Sequence, residues 1–393
     1  MSRPLPPAVV LGGSFNAVSV TRSLGRIGVD VTALGDPMSA VHGSRHYRNF
    51  VDLGRGEGMQ SRWLEWLGQA GGEGAVLLPC DDDGLELIAR NRRALVDLGY
   101  RPFEADDDVV LAMLDKDHSY RLAREIGVRA PLTAAIRGYS DLDGSLDAFR
   151  YPCALKPIHS HLFARAFGRS LKAFTVNDRP ELDRRLQELL ALDLEMLVTE
   201  IVPGGEDQFV GYYSYIDADG QPLFNLTKRK LRQFPPDFGM GCYHITSADP
   251  EVVEVGSRFV RGVGVRGLAN VEMKRDARDG ELTLIECNHR FTAINELLRI
   301  AGADLAAFAY NQLVGRPNPA LDGYRTGVRF WYPMQDTRSA ARLHRRGSLS
   351  LGGWVRSVAH RQHTPLFEWS DPRPTFTLAR ARLLRSLKRR QAS

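Results

Sequence analysis

Three oxygen-bearing side chains, Glu272, Glu286 and Asn288, lie in apolar runs on either side of a predicted turn. The runs cover residues 270–273 and 284–290, and an Asp-Gly pair lies in the turn. In a hairpin, Glu272 lies roughly opposite Glu286, and Asn288 shares the face of Glu286 because side chains two residues apart point the same way. Neighbouring carboxylates repel unless a cation joins them, and Mg²⁺ takes a few protein oxygens together with water and phosphate. The pattern therefore favours a metal site that holds a nucleotide's phosphates over the solvated face of an edge strand.

Two lysines lie where an anion could bind. Lys156 lies inside the short apolar run 153–157, where desolvation of its ammonium group is costly without an anion partner. Phosphate is one such partner, and the alternative is an edge-strand lysine that reaches out to water. Lys116 lies at the start of a predicted helix and, taken alone, has the character of a surface lysine.

A possible nucleoside site follows an apolar strand that ends near Glu200. Backbone groups of Ile201 and Val202 can pair with the edge of an adenine. A carboxylate a few residues later, Glu206 or Asp207, can accept hydrogen bonds from ribose hydroxyls, as acidic residues do in other nucleotide sites. The alternative for both carboxylates is ordinary turn chemistry after two glycines.

The basic segment 227–239 contains Arg229, Lys230 and Arg232. Its strand-like alternation predicts that one face aims two of these charges at an anion. Nucleic-acid binding requires more basic and aromatic surface than this segment offers. Binding of phosphate or of a substrate carboxylate therefore fits the segment better.

The elements that position these residues begin with a strand-turn-helix-strand pattern over residues 8–34, the opening of a doubly wound layer. Its glycine turn lacks the full G-x-G-x-x-G pattern of dinucleotide sites. The acidic triplet 81–83 follows another buried strand and favours a helix cap over a metal site. After residue 106 the pattern predicts helices at 109–114 and 117–126, a strand-rich stretch from 151, the hairpin, and helices at 294–300 and 304–313.

The charge is unevenly distributed over the 393 residues. The net charge is +5, but residues 376–393 contain six basic and no acidic side chains, so the rest of the chain carries −1. Residues 378–388 can form a basic amphipathic helix that contacts anionic lipid or nucleic acid, and a frayed, solvated terminus is an equal alternative. Four scattered cysteines indicate neither zinc nor disulfides and favour a reducing cytoplasm. We expect no signal peptide and no membrane-spanning segment.

In their order along the chain, the motifs at 114–117, 154–157, 199–205, 272 and 286–290 resemble the ATP-grasp superfamily over about residues 12–315. The resemblance implies an α/β (α+β) fold with four parts. A Rossmann-like pre-ATP-grasp domain occupies residues 1–110, and the N-terminal ATP-grasp lobe with its lid occupies 111–200. The C-terminal lobe with the metal site occupies 201–320, and an extension with the basic tail occupies 321–393.

The resemblance also implies roles for the residues identified above. Lys116 and Lys156 would contact ATP, with Lys156 on the phosphates, while Glu200, Ile201 and Val202 would hold adenine and Glu206 or Asp207 the ribose. Glu272, Glu286 and Asn288 would bind one or two Mg²⁺ ions, with Mn²⁺ as the alternative ion. Arg290, with one or more of Arg229, Lys230 and Arg232, would steady the γ-phosphate or an acyl phosphate. The chain departs from the family in two places: the expected phosphate-covering loop, 159–169, has only one glycine, and residue 287 is cysteine.

The resemblance implies an ATP-dependent carboxylate–amine ligase that uses an acyl phosphate and releases ADP and phosphate. Its partners would be a small carboxylate, for instance an amino acid, and an amine acceptor, with no nucleic acid and with membrane contact only through the basic tail. Two alternatives stay open, a bicarbonate-phosphorylating enzyme and a non-catalytic nucleotide-binding scaffold. The oligomeric state also stays open, and a dimer is the common expectation.

Overall fold

The computed structural model describes residues 4–54, 56–158, 163, 166–167, 173–321 and 323–391. Its first part is a parallel sheet in the order β3-β2-β1-β4-β5, so the strand order reverses between β1 and β4. Both strands are entirely buried, as expected for a parallel sheet covered on two faces. The predicted doubly wound opening is confirmed. The elements are β1 (Ala8–Leu11), α1 (Phe15–Arg26), β2 (Val31–Gly35), β3 (Asn49–Asp52), α2 (Met59–Ala70), β4 (Val76–Pro79), α3 (Asp82–Asp97) and β5 (Arg101–Pro102).

The second part is a four-stranded antiparallel sheet in the order β6-β9-β7-β8, preceded by two helices. Its leucine-rich core lies between the sheet and α6. The predicted strand-rich stretch after residue 151 includes β8, while residues 168–172 lie outside the described part of the chain. The elements are α4 (Asp107–Leu114), α5 (Lys116–Glu125), β6 (Thr133–Ile136), β7 (Cys153–Pro157), β8 (Phe174–Val176), α6 (Arg179–Leu190) and β9 (Met196–Glu200).

The third part is a seven-stranded sheet in the order β14-β13-β10-β11-β12-β15-β16. Strands β15 and β16 lie in the predicted C-terminal extension, which was expected to begin at residue 321. Strand β15 pairs with β12 and β16 pairs with β15, so the extension and the residues before it share one sheet. The elements are β10 (Phe209–Ile216), β11 (Leu226–Phe234), β12 (Met240–Ser247), α7 (Pro250–Gly262), β13 (Gly267–Arg275), β14 (Leu282–Asn288), α8 (Asn295–Ala301), α9 (Leu305–Val314), β15 (Arg329–Trp331), α10 (Pro333–Arg345), α11 (Leu351–Val358), β16 (Gln362–His363) and α12 (Arg373–Gln391).

The predicted hairpin is present as β13 and β14, with Glu272 paired with Glu286 and Asn270 paired with Asn288. The register shifts just after Glu272, where Ile285 is an extra residue in β14. The Tyr120 hydroxyl of α5 donates a hydrogen bond to the Ile285 carbonyl oxygen at 2.7 Å, so the bulge is held by the helix. The register therefore matches the sequence prediction at the acidic pair.

The C-terminal extension packs back onto the N-terminal sheet layer. Buried Arg22 of α1 forms an ion pair with buried Asp371 at 2.9 Å, and the same carboxylate accepts from the Ser44 hydroxyl at 2.7 Å. Helix α12 packs against the short 3₁₀ helix Ala40–Gly43. None of the helices in the described ranges is both long and apolar enough to cross a membrane.

Candidate functional site

Glu272, Glu286 and Asn288, which we call the acidic patch, lie on one face of the seven-stranded sheet. Glu286 is exposed, Glu272 and Asn288 are partly buried, and the Asn288 amide donates to a Glu286 carboxylate oxygen at 3.1 Å. In the part of the chain that the structure describes, no three His, Cys, Asp or Glu side chains gather closely enough to hold a metal ion. The predicted ligand set therefore consists of two carboxylates and one amide oxygen.

Two buried lysines of β11, Lys228 and Lys230, reach Glu272 of β13. Their ammonium nitrogens lie 3.6 Å and 2.9 Å from the Glu272 oxygens. Strand β10 runs between β11 and β13, and Gly211 lies in register with both Lys228 and Glu272. A Cβ atom at Gly211 would lie 2.8 Å from the Lys228 Cε atom. The absence of a side chain at this position therefore lets Lys228 cross the strand to reach the carboxylate.

For both Lys228 and Glu272, burial and the oppositely charged neighbours shift the pKa in opposite directions. Burial lowers the pKa of Lys228 to about 8, and the attraction of Glu272 offsets only part of that effect. Burial alone would raise the pKa of Glu272, but the nearby ammonium groups of Lys230 and Lys228 outweigh it and lower that pKa below its ordinary value. Glu272 is therefore ionised at neutral pH, and Lys228 loses its proton more readily than an ordinary lysine.

The structure corrects the prediction for Arg229 and Arg232, because neither side chain lies on this face. Arg229 is exposed on the opposite face, since side chains alternate along β11. A bulge at Leu231 then reverses the alternation, so Arg232 also faces away from Lys230. Arg232 instead donates to both oxygens of the buried Asp336 carboxylate, at 2.6 Å and 3.0 Å.

Lys156, on β7 of the second sheet, contributes a positive charge to the candidate site. Burial lowers the pKa of Lys156 to about 8, and the nearby ammonium of Lys116 acts in the same direction while Glu286 opposes it. No ion pair of Lys156 occurs within the described part of the chain. The structure therefore brings Lys116 and Lys156 into electrostatic range of each other and brings Lys156 into range of Glu286.

The predicted adenine segment follows β9. Glu200 is the last residue of β9, and its carboxylate pairs with Arg278 at 2.7 Å and accepts from the Leu132 amide at 3.4 Å. Buried Lys274 of β13 donates to the Val202 carbonyl oxygen at 2.7 Å. The segment is thus fixed to the large sheet by a side chain, which orients its backbone groups.

The two candidate ribose ligands differ in burial and in hydrogen bonding. Asp207 is exposed, whereas Glu206 is partly buried and accepts a hydrogen bond from the Gln233 backbone N–H at 3.0 Å. The other Glu206 oxygen is buried and has no hydrogen-bond partner among the described residues. Burial raises the pKa of Glu206. A buried acceptor that has no partner among the described residues can accept a hydrogen bond from a ligand hydroxyl.

Arg290 joins the acidic patch to the N-terminal sheet. Its guanidinium donates to the Asp82 carboxylate at 2.6 Å, and Asp82 lies at the start of α3, just after β4. The preceding Asp81 caps α3 as predicted, accepting from the Gly84 amide at 2.9 Å, and it also accepts from the Gly13 amide at 3.0 Å. Burial raises the pKa of Asp81 to about 6. Arg290 therefore lies where the strand order of the N-terminal sheet reverses, a usual place for ligands.

Sequence reasoning missed Lys228 and Lys274. Both are buried lysines within strands, so the rule that identified Lys156 also applies to them. Glu272, Glu286 and Asn288 supply only oxygen atoms, the donor type that Mg²⁺ prefers. The Glu206 oxygen and the Asn270 amide oxygen are buried without partners in the described part of the chain. The residues present thus fit both a divalent cation and a nucleotide.

Comparison with protein families gives no matching family model. Among curated proteins, the chain is similar to D-aspartate ligase from Enterococcus faecium (strain Aus0004), with 28% identity over 242 residues. The match covers 59% of this chain and 57% of that ligase. The chain therefore spans little more than half of the length of this relative.

Two solved structures share the fold. L-amino acid ligase from Bacillus licheniformis has a TM-score of 0.59 at 16% identity, covering 79% of this chain and 75% of its own. The biotin carboxylase domain of Hydrogenobacter thermophilus 2-oxoglutarate carboxylase, solved with MgADP, ADP and bicarbonate, has a TM-score of 0.62 at 16% identity. That match covers 82% of this chain and 73% of the domain. The predicted α/β fold class is thereby confirmed, while the predicted domain boundaries stay a prediction.

Proposed function

We propose that this chain, which has the ATP-grasp fold, is an ATP-dependent carboxylate–amine ligase that forms an amide bond through an acyl phosphate. One observation carries the proposal. Glu272, which lies beside Glu286 and Asn288, forms ion pairs with two buried lysines. Such a group pairs ligands for a cation with fixed positive charges for phosphate. The similarity to D-aspartate ligase makes an amino acid the first carboxylate substrate to test.

In the proposed reaction a substrate carboxylate oxygen attacks the γ-phosphorus of ATP in line, and the bond to the β-phosphate oxygen breaks to release ADP. Lys228, Lys230 and Arg290 would neutralise the charge on the transferring group, and Lys156 would hold the phosphates. Glu272, Glu286 and Asn288 would hold Mg²⁺, which screens phosphate charge when it is bound. Their all-oxygen set also admits Mn²⁺.

In the second step of the proposed reaction, the amine substrate reacts with the acyl phosphate. The amine nitrogen attacks the acyl carbon, the bond to the phosphate oxygen breaks, and the proton that the nitrogen loses passes to phosphate or water. Water must be excluded meanwhile, because it would hydrolyse the intermediate. We assign that role to the small antiparallel sheet β6–β9 as a closing lid.

Adenine and ribose would be held by the segment after β9. In this proposal Glu200 and the backbone of Ile201 and Val202 contact adenine, with Lys274 orienting the Val202 carbonyl group. Lys116 contacts the nucleotide, and Glu206 rather than Asp207 accepts a hydrogen bond from a ribose hydroxyl.

Because the reaction consumes ATP and the four cysteines are buried free thiols, we place the protein in the cytoplasm. We expect a dimer, which light scattering measures.

The test is release of ADP and phosphate by the purified protein with Mg-ATP, pools of amino acids, and pools with added amines. Release that requires both a carboxylate and an amine supports the ligase. The Glu286→Ala variant is expected to lose turnover, and Glu281→Ala, at an exposed glutamate beside the hairpin turn, serves as the matched control. Bicarbonate-dependent release without an amine, or no release with any pool, would contradict the proposal.

A further inference from the structure

A bulge in β14 decides on which face of the seven-stranded sheet Glu286 lies. Leu284 lies opposite Met273, and both pack in an apolar core, whereas Glu286 lies opposite Glu272. Side chains two residues apart in a regular strand share a face, so strict alternation would place Glu286 in that core beside Leu284. The extra residue, Ile285, reverses the alternation and brings Glu286 to the face of Glu272. The acidic patch therefore depends on the bulge.

Helix α5 holds the bulge from outside the hairpin. Strand β14 is an edge strand, and the Tyr120 hydroxyl of α5 donates to the Ile285 carbonyl oxygen at 2.7 Å. The neighbouring Leu284 backbone N–H donates to the Arg129 carbonyl oxygen at 2.8 Å, just after the same helix. A bulge leaves a backbone group outside the regular ladder, and such a group needs another partner when it is buried. The Tyr120 hydroxyl is that partner for Ile285.

The hydroxyl group of Tyr120 also lies close to the predicted metal ligands. Tyr120 is fully buried, and its ring packs in the same apolar core as Leu284. Burial raises the pKa of Tyr120, and the negative charges of Glu286 and Glu272 raise it further, so the hydroxyl is in electrostatic range of both carboxylates. Lys116, at the start of α5, lies one turn before Tyr120 on the same side of the helix. Helix α5 thus joins a predicted nucleotide contact to the predicted metal-binding strand.

We propose that Tyr120 is a positioning residue for the metal site, because its hydrogen bond fixes the bulge and thereby the direction in which Glu286 points. This inference rests on the proposed function, since it concerns the cation that the acidic patch would hold. Groups that orient metal ligands typically contribute about 10–100-fold to metal affinity. A phenylalanine would fill nearly the same space in the core, so the hydroxyl group serves the bulge and not the packing.

The first test is binding of Mn²⁺ in the presence of ADP, measured by the enhancement of the water proton relaxation rate. Mn²⁺ takes oxygen ligands as Mg²⁺ does, and this signal requires no turnover. Tyr120→Phe keeps the ring and should raise the Kd for Mn²⁺ by about tenfold or more. Tyr212→Phe is the matched control, because Tyr212 is fully buried in the same core and its hydroxyl donates to Asn225 at 2.7 Å. That variant should bind Mn²⁺ as the wild type does.

The second test is hydrogen–deuterium exchange of the backbone amides of β14 in the protein without metal or nucleotide. Loss of the hydrogen bond to Ile285 should speed exchange over residues 282–288 by about fivefold in Tyr120→Phe. Tyr212→Phe should leave exchange in this segment unchanged. This measurement reports on the bulge itself, so it does not depend on whether the protein binds a cation.

The outcomes separate this inference from the proposed function. If Glu286→Ala loses Mn²⁺ binding while Tyr120→Phe binds as the wild type does, the positioning role is wrong and the metal site stands. If the wild type and Glu286→Ala behave alike toward Mn²⁺, the metal site itself is wrong. Unchanged exchange over residues 282–288 in Tyr120→Phe would overturn the hold on the bulge. Equal weakening of Mn²⁺ binding in Tyr212→Phe would overturn the inference too, because the loss would come from a general loosening of the core.

Discussion

Loss of the Lys156 proton between pH 7 and pH 9 is expected by itself to weaken ATP binding by about tenfold. Burial and the neighbouring Lys116 ammonium lower the pKa of Lys156 to about 8 in the free protein, from an ordinary value of 10.5. Lys156 is then about 90% protonated at pH 7 and about 10% protonated at pH 9. A bound phosphate favours the protonated form and restores the pKa, so ATP prefers the protonated protein.

The sign of the effect follows from this linkage. Because the pKa is higher in the complex than in the free protein, binding takes up protons between the two values, and affinity falls as pH rises through the lower one. At pH 8 Lys156 is about half protonated, so binding should take up about 0.5 proton at this site. A shift of about 2.5 units corresponds to about 3 kcal/mol of coupling between the proton and the phosphate.

Isothermal titration in buffers of different ionisation enthalpy measures this proton uptake directly. Lys228 also has a pKa lowered to about 8, so the decisive quantity is the difference between the wild type and Lys156→Met. We expect that difference to be about 0.5 proton at pH 8. Arg229→Met, which changes a cation on the opposite face of β11, is the matched control and should leave the uptake unchanged. Equal uptake by the wild type and Lys156→Met would refute the reasoning.

Three further changes test the site and its support. Gly211→Ala should lower kcat by about tenfold or more by displacing Lys228, and it should add little to the loss in Lys228→Met if both act through one contact. Asp336→Ala should cost about 3–5 kcal/mol in urea unfolding, because it leaves a buried arginine without its partner; a change below about 1 kcal/mol would contradict this role. Glu206→Gln should raise the KM for ATP by about tenfold with kcat retained, since one ribose hydrogen bond weakens, whereas Asp207→Asn should leave both unchanged; the reverse pattern would assign ribose to Asp207.

The hairpin could be predicted because its signals are local. A period of two and a short turn fix which residues of β13 and β14 face each other, and the observed pairing of Glu272 with Glu286 agrees. The bulge at Ile285 lies between the turn and the acidic pair and shifts β14 by one residue, which brings Glu286 opposite Glu272; the sequence predicted this pairing only roughly and carried no signal for the bulge. The helix cap at Asp81 was predictable for the same reason, since a cap depends on residues three apart.

The roles along β11 were not predictable, because they depend on an irregularity and on distant partners. A strict alternation places Arg232 beside Lys230, but the bulge at Leu231 turns it to the other face. There it meets Asp336, more than 100 residues later, whose carboxylate also accepts from the Trp331 and Trp354 indoles at 2.9 Å. The sequence carries no local signal for that pairing.

The ordering of the C-terminal extension was also beyond sequence reasoning. From the sequence, the basic run 378–388 fitted either a helix that contacts anionic lipid or nucleic acid or a frayed terminus. In the structure these residues belong to helix α12, which begins at Arg373. The ion pair of Arg22 with Asp371 joins residues 349 positions apart. Such a contact follows from the tertiary fold and not from any neighbouring pattern.

The central claim is that the carboxylate is activated as an acyl phosphate, and oxygen transfer tests it most directly. An acid that supports turnover is labelled with ¹⁸O in its carboxylate, and the released phosphate is examined by mass spectrometry. Attack of the carboxylate on the γ-phosphorus predicts that each phosphate carries one oxygen from the acid, with ADP as the nucleotide product. Unlabelled phosphate, or AMP and pyrophosphate as products, would contradict the account.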